Sequence, residues 1–127
     1  VAGAPVARGI IERRDDLLTL IQRHPKVLAV LTGDEHNYNR LRLDSSVPIY
    51  PEGWTGPRVT LSRPFYQINN GAAGAPYYAQ EKTPWSAFVK GFSTQNAICL
   101  LHVNGKRVRL EVVNPETLEV LDRAELR

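Results

Sequence analysis

The stretch that decides the fold is Val27-Leu28-Ala29-Val30-Leu31-Thr32-Gly33-Asp34-Glu35-His36-Asn37-Tyr38-Asn39-Arg40. It opens with an unbroken apolar run, residues 27–31, which is typical of a β-strand covered on both faces. The run gives way at Gly33 to a group of polar residues. In α/β folds, functional side chains gather where the chain leaves the carboxyl end of such a strand. The sequence therefore predicts a buried strand that delivers polar groups to a cleft.

A helix is predicted just before this strand, over residues 9–24. Ile10, Leu17 and Ile21 recur at helical spacing, and Pro25 ends the pattern. A helix, a short connection and a buried strand make one α/β unit, with the helix packed outside the sheet.

Further strands are predicted at residues 40–43, 58–62 and 65–69, with an irregular excursion over 44–58 that is rich in Pro and Gly. A short helix is predicted around residues 85–89. Asn104-Gly105 predicts a hairpin between strands at 97–103 and 106–113, and residues 117–121 with Leu126 predict a last edge strand. The predicted fold class is α/β in the broad sense (α+β): an N-terminal helix, a mixed sheet and a C-terminal antiparallel hairpin, in a single domain or fragment over residues 1–127.

The composition excludes several classes of protein. With 43% hydrophobic and 23% charged residues the chain is globular, and no apolar run approaches the ~20 residues of a membrane-spanning helix. The net charge of +3 comes from Lys and Arg in separate segments, which argues against a nucleic-acid surface. Cys99 is the only cysteine, so we expect no intrachain disulfide and a small buried hydrophobe at that position. Because the chain has no Met, we expect a processed or excised piece.

Asp34 and His36 are the candidate metal ligands. A carboxylate and an imidazole two residues apart, in a turn after a buried strand, can face the same side and suit Zn, Fe or Mn. In the alternative interpretation the turn is only a polar loop, where Asp34 caps backbone amides and His36 hydrogen-bonds locally. The residues alone leave both interpretations open.

The segment that begins at Gly33 resembles the last motif of the calcineurin-like metallophosphoesterases, the superfamily that includes purple acid phosphatases. That motif reads Gly-His-x-His, often followed by Asn or Ala, Tyr, x and Arg. Gly33, His36, Tyr38 and Arg40 match it, and Asp34 replaces the first His.

The rest of the chain agrees with the resemblance. Residues 67–76 are similar to the strand and glycine-rich loop that follow the motif in that family, and residues 97–127 are similar to its C-terminal end. The resemblance spans residues 9–127, although only the motif and the glycine loop are specific. Gly33-Asp34-Glu35-His36 also satisfies the family's earlier Asp-x-His and Gly-Asp motifs, but too few residues follow His36 to carry the remaining ligands.

The resemblance implies a metal-dependent phosphoesterase that hydrolyses phosphate esters with a metal-activated hydroxide. His36 would bind one metal of a pair of divalent or trivalent ions (Fe, Zn or Mn), and Asp34 would bind the other. The residues expected to support these ligands or to line the cleft are Tyr38, Arg40, Asn69, Asn70 and Gly71.

The resemblance also implies an α-β-β-α sandwich of which this chain is the C-terminal half. The remaining metal ligands would lie upstream, so the chain alone is expected to be inactive. Its expected partners are a phosphate-ester substrate and either the N-terminal half of the same protein or a second copy that covers an exposed sheet; neither nucleic acid nor a membrane is expected. The alternative is a non-catalytic binding or interaction module that has lost the dinuclear centre.

Overall fold

The structure is a computed structural model that describes residues 8–77 and 83–127, with side chains of the first helix from Arg13 onward. The chain is mixed α+β, as predicted. Its elements are α1 (Arg8–Arg23), β1 (Ala29–Thr32), β2 (Tyr38–Leu43), β3 (Phe65–Asn70), a 3-10 helix (Ser86–Phe88), β4 (Val89–Ser93), β5 (Ile98–Asn104), β6 (Arg107–Val113) and β7 (Val120–Glu125).

The strands form two sheets. The first sheet has the order β1-β3-β2-β4, in which β1 runs parallel to β3 while β2 is antiparallel to both β3 and β4. The second sheet has the order β5-β6-β7 and is antiparallel throughout. The prediction of a mixed sheet followed by an antiparallel hairpin is therefore confirmed.

Two hydrophobic cores separate three layers. On one face of the first sheet, Leu18 and Ile21 of α1 pack with Phe65. On the other face, Ile68 packs with Leu110 of the second sheet. Full burial of a large apolar side chain contributes about 1.5–3 kcal/mol, so both faces of the first sheet are tied into the fold.

Helix α1 matches the predicted helix and ends at Arg23, two residues before Pro25. Of the predicted apolar stripe, Ile21 is buried but Leu17 is 49% exposed. The side chain of Ile10 lies outside the described residues.

The prediction that β1 is covered on both faces is confirmed only at the start of the strand, where Ala29 packs against the core between the two sheets. Val30 packs against the core beneath α1, but the next residue, Leu31, is 60% exposed. Successive side chains of a strand point to opposite faces, so Leu31 lies on the face that the second sheet covers elsewhere. β1 is the edge strand of the first sheet, and the second sheet does not reach Leu31.

The predicted strand at residues 58–62 was also wrong, and β4 was not predicted. Backbone groups of this segment bond to side chains instead of a neighbouring strand: Val59 N donates to the Tyr50 hydroxyl, and Arg63 N donates to Gln22 Oε1 at 3.0 Å. Leu61 is nevertheless buried. The irregular excursion therefore packs as part of the core without joining a sheet. Near residues 85–89 the predicted short helix is the 3-10 helix, Ser86–Phe88.

The C-terminal hairpin is confirmed, with its turn one residue later than predicted. Asn104 pairs with Arg107, so Gly105 and Lys106 form the turn. Gly105 has a φ of 59°, and a glycine at the first turn position is what a type II′ turn needs. The last strand begins at Val120 rather than at residue 117. The Asn114 side chain stabilises a turn before it, because its Oδ1 accepts hydrogen bonds from the backbone nitrogens of Glu116 and Thr117.

The sandwich is closed on one side and open on the other. Edge strand β4 meets edge strand β7 where Gly91 lies against the Asp122 carboxylate. The opposite edges, β1 and β5, are therefore on the far side. β5 exposes apolar side chains there, including Leu101 at 46% and Val103 at 69%. Within the described residues, no helix is long and apolar enough to span a membrane.

Cys99 on β5 is half-buried, and its thiol is expected to react slowly. Burial, with a contribution from the nearby Asp122 carboxylate, raises its pKa to about 11. The thiolate is the nucleophile, so at about pH 8.5 alkylation by iodoacetamide should be on the order of a hundredfold slower than for a free thiol. A mass-spectrometric time course measures the rate, and the same chain in denaturant is the control. Equal rates in the two conditions would contradict the expectation.

Candidate functional site

Two loops lie side by side at one edge of the first sheet. β1 and β3 are parallel, with Thr32 next to Asn69, so the loops that leave their carboxyl ends emerge together. We call residues 33–37 the ligand turn and residues 71–76 the glycine loop. Both come from segments that the sequence analysis placed directly after strands.

The ligand turn is tight and left-handed at Asp34. Asp34 has a φ of 75°, a conformation that Asp adopts more readily than most residues, and its side chain is exposed. Asn37 N then donates to the Glu35 carbonyl at 2.7 Å. The turn thus holds one predicted ligand on the surface, directly after Gly33.

His36, the other predicted ligand, is fixed by the glycine loop. Its Nδ1 lies 2.6 Å from the carbonyl oxygen of Pro76. A carbonyl can only accept, so Nδ1 carries the proton and the lone pair is on Nε2. This is the tautomer and the orientation of a metal-binding histidine whose second nitrogen is held by a backbone carbonyl.

Asn69 supports the ligand turn from below. Its Nδ2 donates to the carbonyl oxygens of Glu35 at 2.9 Å and Asn37 at 2.7 Å, and its Oδ1 lies 3.3 Å from Thr32 Oγ1. The side chain is 3% exposed. Both donors of the carboxamide are therefore spent on the turn, and Asn69 acts by holding its backbone.

Gly71 allows the two loops to touch. A Cβ at this position would overlap the Glu35 carbonyl oxygen and lie 2.7 Å from the carbonyl carbon. Gly71 N also donates to the Asn37 carbonyl at 3.2 Å. The neighbouring Asn70 faces the second sheet: its Nδ2 donates to the Ala97 carbonyl at 3.2 Å, while its buried Oδ1 has no hydrogen-bond partner among the described residues.

Tyr38 and Arg40 point away from the ligand turn, into the space between the sheets. The Tyr38 hydroxyl donates to Asp122 Oδ2 at 2.6 Å. Arg40 binds the same carboxylate with two nitrogens, at 2.7 and 3.0 Å. We call Tyr38, Arg40 and Asp122 the inter-sheet triad, because it joins β2 of the first sheet to β7 of the second.

The inter-sheet triad has shifted ionisation equilibria. Burial opposes ionisation of Asp122, but hydrogen bonds from Arg40 and Tyr38 outweigh it and lower the Asp122 pKa. Burial, together with the bond to Asp122, raises the pKa of the Tyr38 hydroxyl, and the same carboxylate raises the pKa of Arg40. The triad is thus an ion pair with a neutral phenol between the sheets.

Sequence reasoning missed two residues at this site. Asp122 is the partner of both Tyr38 and Arg40, and the mixed sequence of the last strand, which also holds Arg123 and Glu125, gives no signal that singles it out. Asn37 is 1% exposed, and its side chain accepts from Asn39 Nδ2 at 2.7 Å. No local pattern marks Asn37 as buried.

The donor set for a metal is small in the part of the chain that the structure describes. No cluster of three or more His, Cys, Asp or Glu side chains that could hold a metal occurs there. A tight site takes three or four protein donors. The tautomer of His36 fits a metal ligand. Because a third protein donor is missing from the described residues, a metal held at Asp34 and His36 would need donors from elsewhere.

A comparison with known protein families, curated protein sequences and solved structures finds no match for this chain.

Proposed function

We propose that this chain forms one corner of the metal centre of a metal-dependent phosphoesterase and the second half of its two-sheet fold. The observation that carries the proposal is the His36 side chain. It stands at the carboxyl end of a strand, beside Asp34, with Nδ1 donating to the Pro76 carbonyl and the lone pair on Nε2. Asn69 and the glycine loop hold the turn that carries this side chain.

The open side of the sandwich supports the second part of the proposal. In the part of the chain that the structure describes, β1 pairs only with β3, to which it is parallel, and it is an edge strand with Leu31 exposed despite its apolar sequence. Parallel strands are almost always covered on both faces. The exposed edge of β5 lies on the same side, so one covering segment with its own strands would complete both sheets. The N-terminal half of the same protein is the partner that we propose, and a second copy of the chain is the other.

In this proposal the residues of the chain have distinct roles. His36 and Asp34 hold metal ions, and Asn69 and Gly71 hold the turn that presents them. A bound pair of Fe, Zn or Mn ions would polarise the phosphoryl oxygens and lower the pKa of a coordinated water. Asp34 is shorter than the histidine of the motif and adds a negative charge, which favours hard cations at its position.

A non-catalytic binding module is the second candidate function. The observation that favours it is the donor set, since the described residues bring together no third ligand beside Asp34 and His36. The open apolar edges of β1 and β5 would then serve to bind another protein rather than to complete an enzyme.

The test is metal content and hydrolysis in the full translated protein. We expect His36→Ala to lose about one metal ion per chain and to lower hydrolysis of p-nitrophenyl phosphate by on the order of a hundredfold, because changes around a metal-binding histidine commonly cost 10–100-fold. Inductively coupled plasma mass spectrometry gives the metal content, and the release of p-nitrophenol gives the rate.

His24→Ala is the matched control, because His24 is exposed and precedes β1, whereas the ligand turn follows that strand. Asp34→His should tighten the second metal by restoring the motif. Equal metal content in His36→Ala and the unchanged protein would remove the ligand assignment. A metal-loaded protein without phosphoesterase activity would leave the binding module as the function.

A further inference from the structure

A second site lies on the helix face of the first sheet, where two cavities meet. One has a volume of about 190 Å³ and lies beneath α1; the other has a volume of about 200 Å³ and lies towards the ligand turn. Gln67 and Trp85 line both cavities. The two cavities therefore adjoin at these side chains, and we call the two together the Trp85 cleft.

The half beneath α1 is apolar. Its walls include Leu17, Val30, Phe65 and Ile49. Protein interiors contain few voids larger than a water molecule, and an apolar cavity of about 150 Å³ holds a benzene ring. Among the described residues that line this half, Arg14 is the only charged one, and it is already engaged, by Asp15 at 2.9 Å and by the Ile49 carbonyl. This half therefore fits an uncharged ring.

The other half is polar and has one charge. It is lined by Asn37, Asn39, Thr83 and Glu35, together with the two shared side chains. The Glu35 carboxylate makes no hydrogen bond or ion pair with any residue between 8 and 77 or between 83 and 127. Glu35 is half-buried, so a cation beside its carboxylate would be attracted at lower dielectric than in water.

We propose that the Trp85 cleft binds a small aromatic amine. The ring lies in the apolar half against the indole of Trp85, and the ammonium group points to the carboxylate of Glu35. Aromatic rings gain from offset or edge-to-face contact with each other. A charge-assisted hydrogen bond is about twice as strong as a neutral one, so the cation, and not only the ring, selects the ligand. Nothing in this proposal depends on a metal at Asp34 and His36.

The probe is phenethylamine, titrated into the whole chain with 5-fluorotryptophan at both tryptophan positions and with a chelator present. The readout is fluorine NMR. The Trp85 signal should shift and saturate, while the signal of Trp54, which stacks on Tyr50 in the irregular excursion, should stay in place as an internal control. The neutral analogue 2-phenylethanol should bind on the order of tenfold more weakly, and 3-phenylpropionate more weakly still.

Glu35→Gln should remove the tenfold preference for the amine over the alcohol, because the side chain keeps its shape and loses its charge. Glu52→Gln, an exposed residue outside the cleft, is the matched control. Leu17→Phe places a ring in the apolar half and should abolish binding of both probes while circular dichroism stays unchanged.

Three outcomes would overturn the proposal. They are a Trp85 signal that does not saturate at tens of millimolar amine, equal binding of amine and alcohol, and an unchanged preference in Glu35→Gln. If Leu17→Phe proves unfolded, the proposal is still tested by comparing the binding of the two probes to the unchanged chain and to Glu35→Gln.

Discussion

Asp122→Asn is expected to lower the free energy of unfolding by about 3 kcal/mol, because it leaves Arg40 charged and unpaired between the sheets. The Arg40 and Asp122 side chains are only 13% and 10% exposed, and the carboxamide leaves one acceptor oxygen for the three donors that the carboxylate binds. Removal of one partner of a buried ion pair typically costs about 3–5 kcal/mol. Urea unfolding followed by circular dichroism measures the loss.

Glu111→Gln is the control for the inter-sheet triad. It breaks the pair between Glu111 and Arg123, which also involves β7 but whose side chains are 19% and 62% exposed. Exposed pairs contribute about 0–1 kcal/mol. The triple variant Tyr38→Phe/Arg40→Met/Asp122→Leu should recover most of the stability, since a buried ion pair can be replaced by apolar groups at little cost. Similar losses for Asp122→Asn and Glu111→Gln would contradict a structural role for the triad.

Changes at Asp122 and at Tyr38 should alter the pH dependence of the free energy of unfolding, the first at acid pH and the second at alkaline pH. The folded state lowers the pKa of Asp122, so its contribution is complete above the unfolded value of about 3.9 and is lost as pH falls below it. The folded state raises the pKa of Tyr38, so its contribution is complete below about pH 10 and is lost as pH rises further. Asp122→Asn should flatten the acid limb, and Tyr38→Phe should flatten the alkaline limb.

Gly71→Ala is expected to cost about 2–3 kcal/mol and to displace the ligand turn, whereas Gly33→Ala in the same turn should be nearly neutral. A Cβ at Gly71 would overlap the Glu35 carbonyl, but a Cβ at Gly33 would have no heavy atom within 4 Å. Insertion of atoms into a packed contact costs about 1–3 kcal/mol, and the displaced carbonyl also loses its bond from Asn69. Thermal unfolding and the NMR signals of His36 measure the two effects.

Comparing Gly71→Ala with Gly33→Ala shows whether stability is lost because the two loops touch at Gly71 or because any alanine in these loops is destabilising. Both glycines belong to the candidate site, and neither has the positive φ that would strain any side chain. A loss of stability in Gly33→Ala as large as that in Gly71→Ala would mean that the contact between the ligand turn and the glycine loop is not what matters.

Local signals predicted the parts of the fold that local physics decides. Helix α1 follows from its apolar spacing and Pro25, and the hairpin follows from Gly105. The strand prediction for residues 58–62 was wrong, because a strand needs a neighbouring strand to bond to. Here the backbone nitrogens of Val59 and of the adjacent Arg63 donate to the Tyr50 hydroxyl and the Gln22 side chain instead. The exposure of Leu31 could not be predicted, because it depends on how far the second sheet extends.

The candidate site divides in the same way. The placement of Asp34, His36 and Gly71 in neighbouring loops was predictable because those loops follow two strands, and parallel pairing of β1 with β3 brings the loops together. The contacts of Tyr38 and Arg40 could not be predicted, because their partner Asp122 is more than eighty residues further along the chain. Side chains that alternate along β2 look alike in the sequence whether they face a cleft or a second sheet.

The open side of the sandwich affects how the proposed covering segment would reach the edges of β1 and β5. The edges of β1 and β5 have no neighbouring strand among residues 8–77 and 83–127 and lie beside exposed leucine and valine, and such edges pair with any strand that reaches them first. A segment joined covalently to this chain would be present at an effective concentration in the millimolar range. A separate molecule at micromolar concentration would compete with pairing between copies of the chain. If the covering segment is the N-terminal half that we propose, its covalent linkage would give it a kinetic advantage that its affinity alone would not provide.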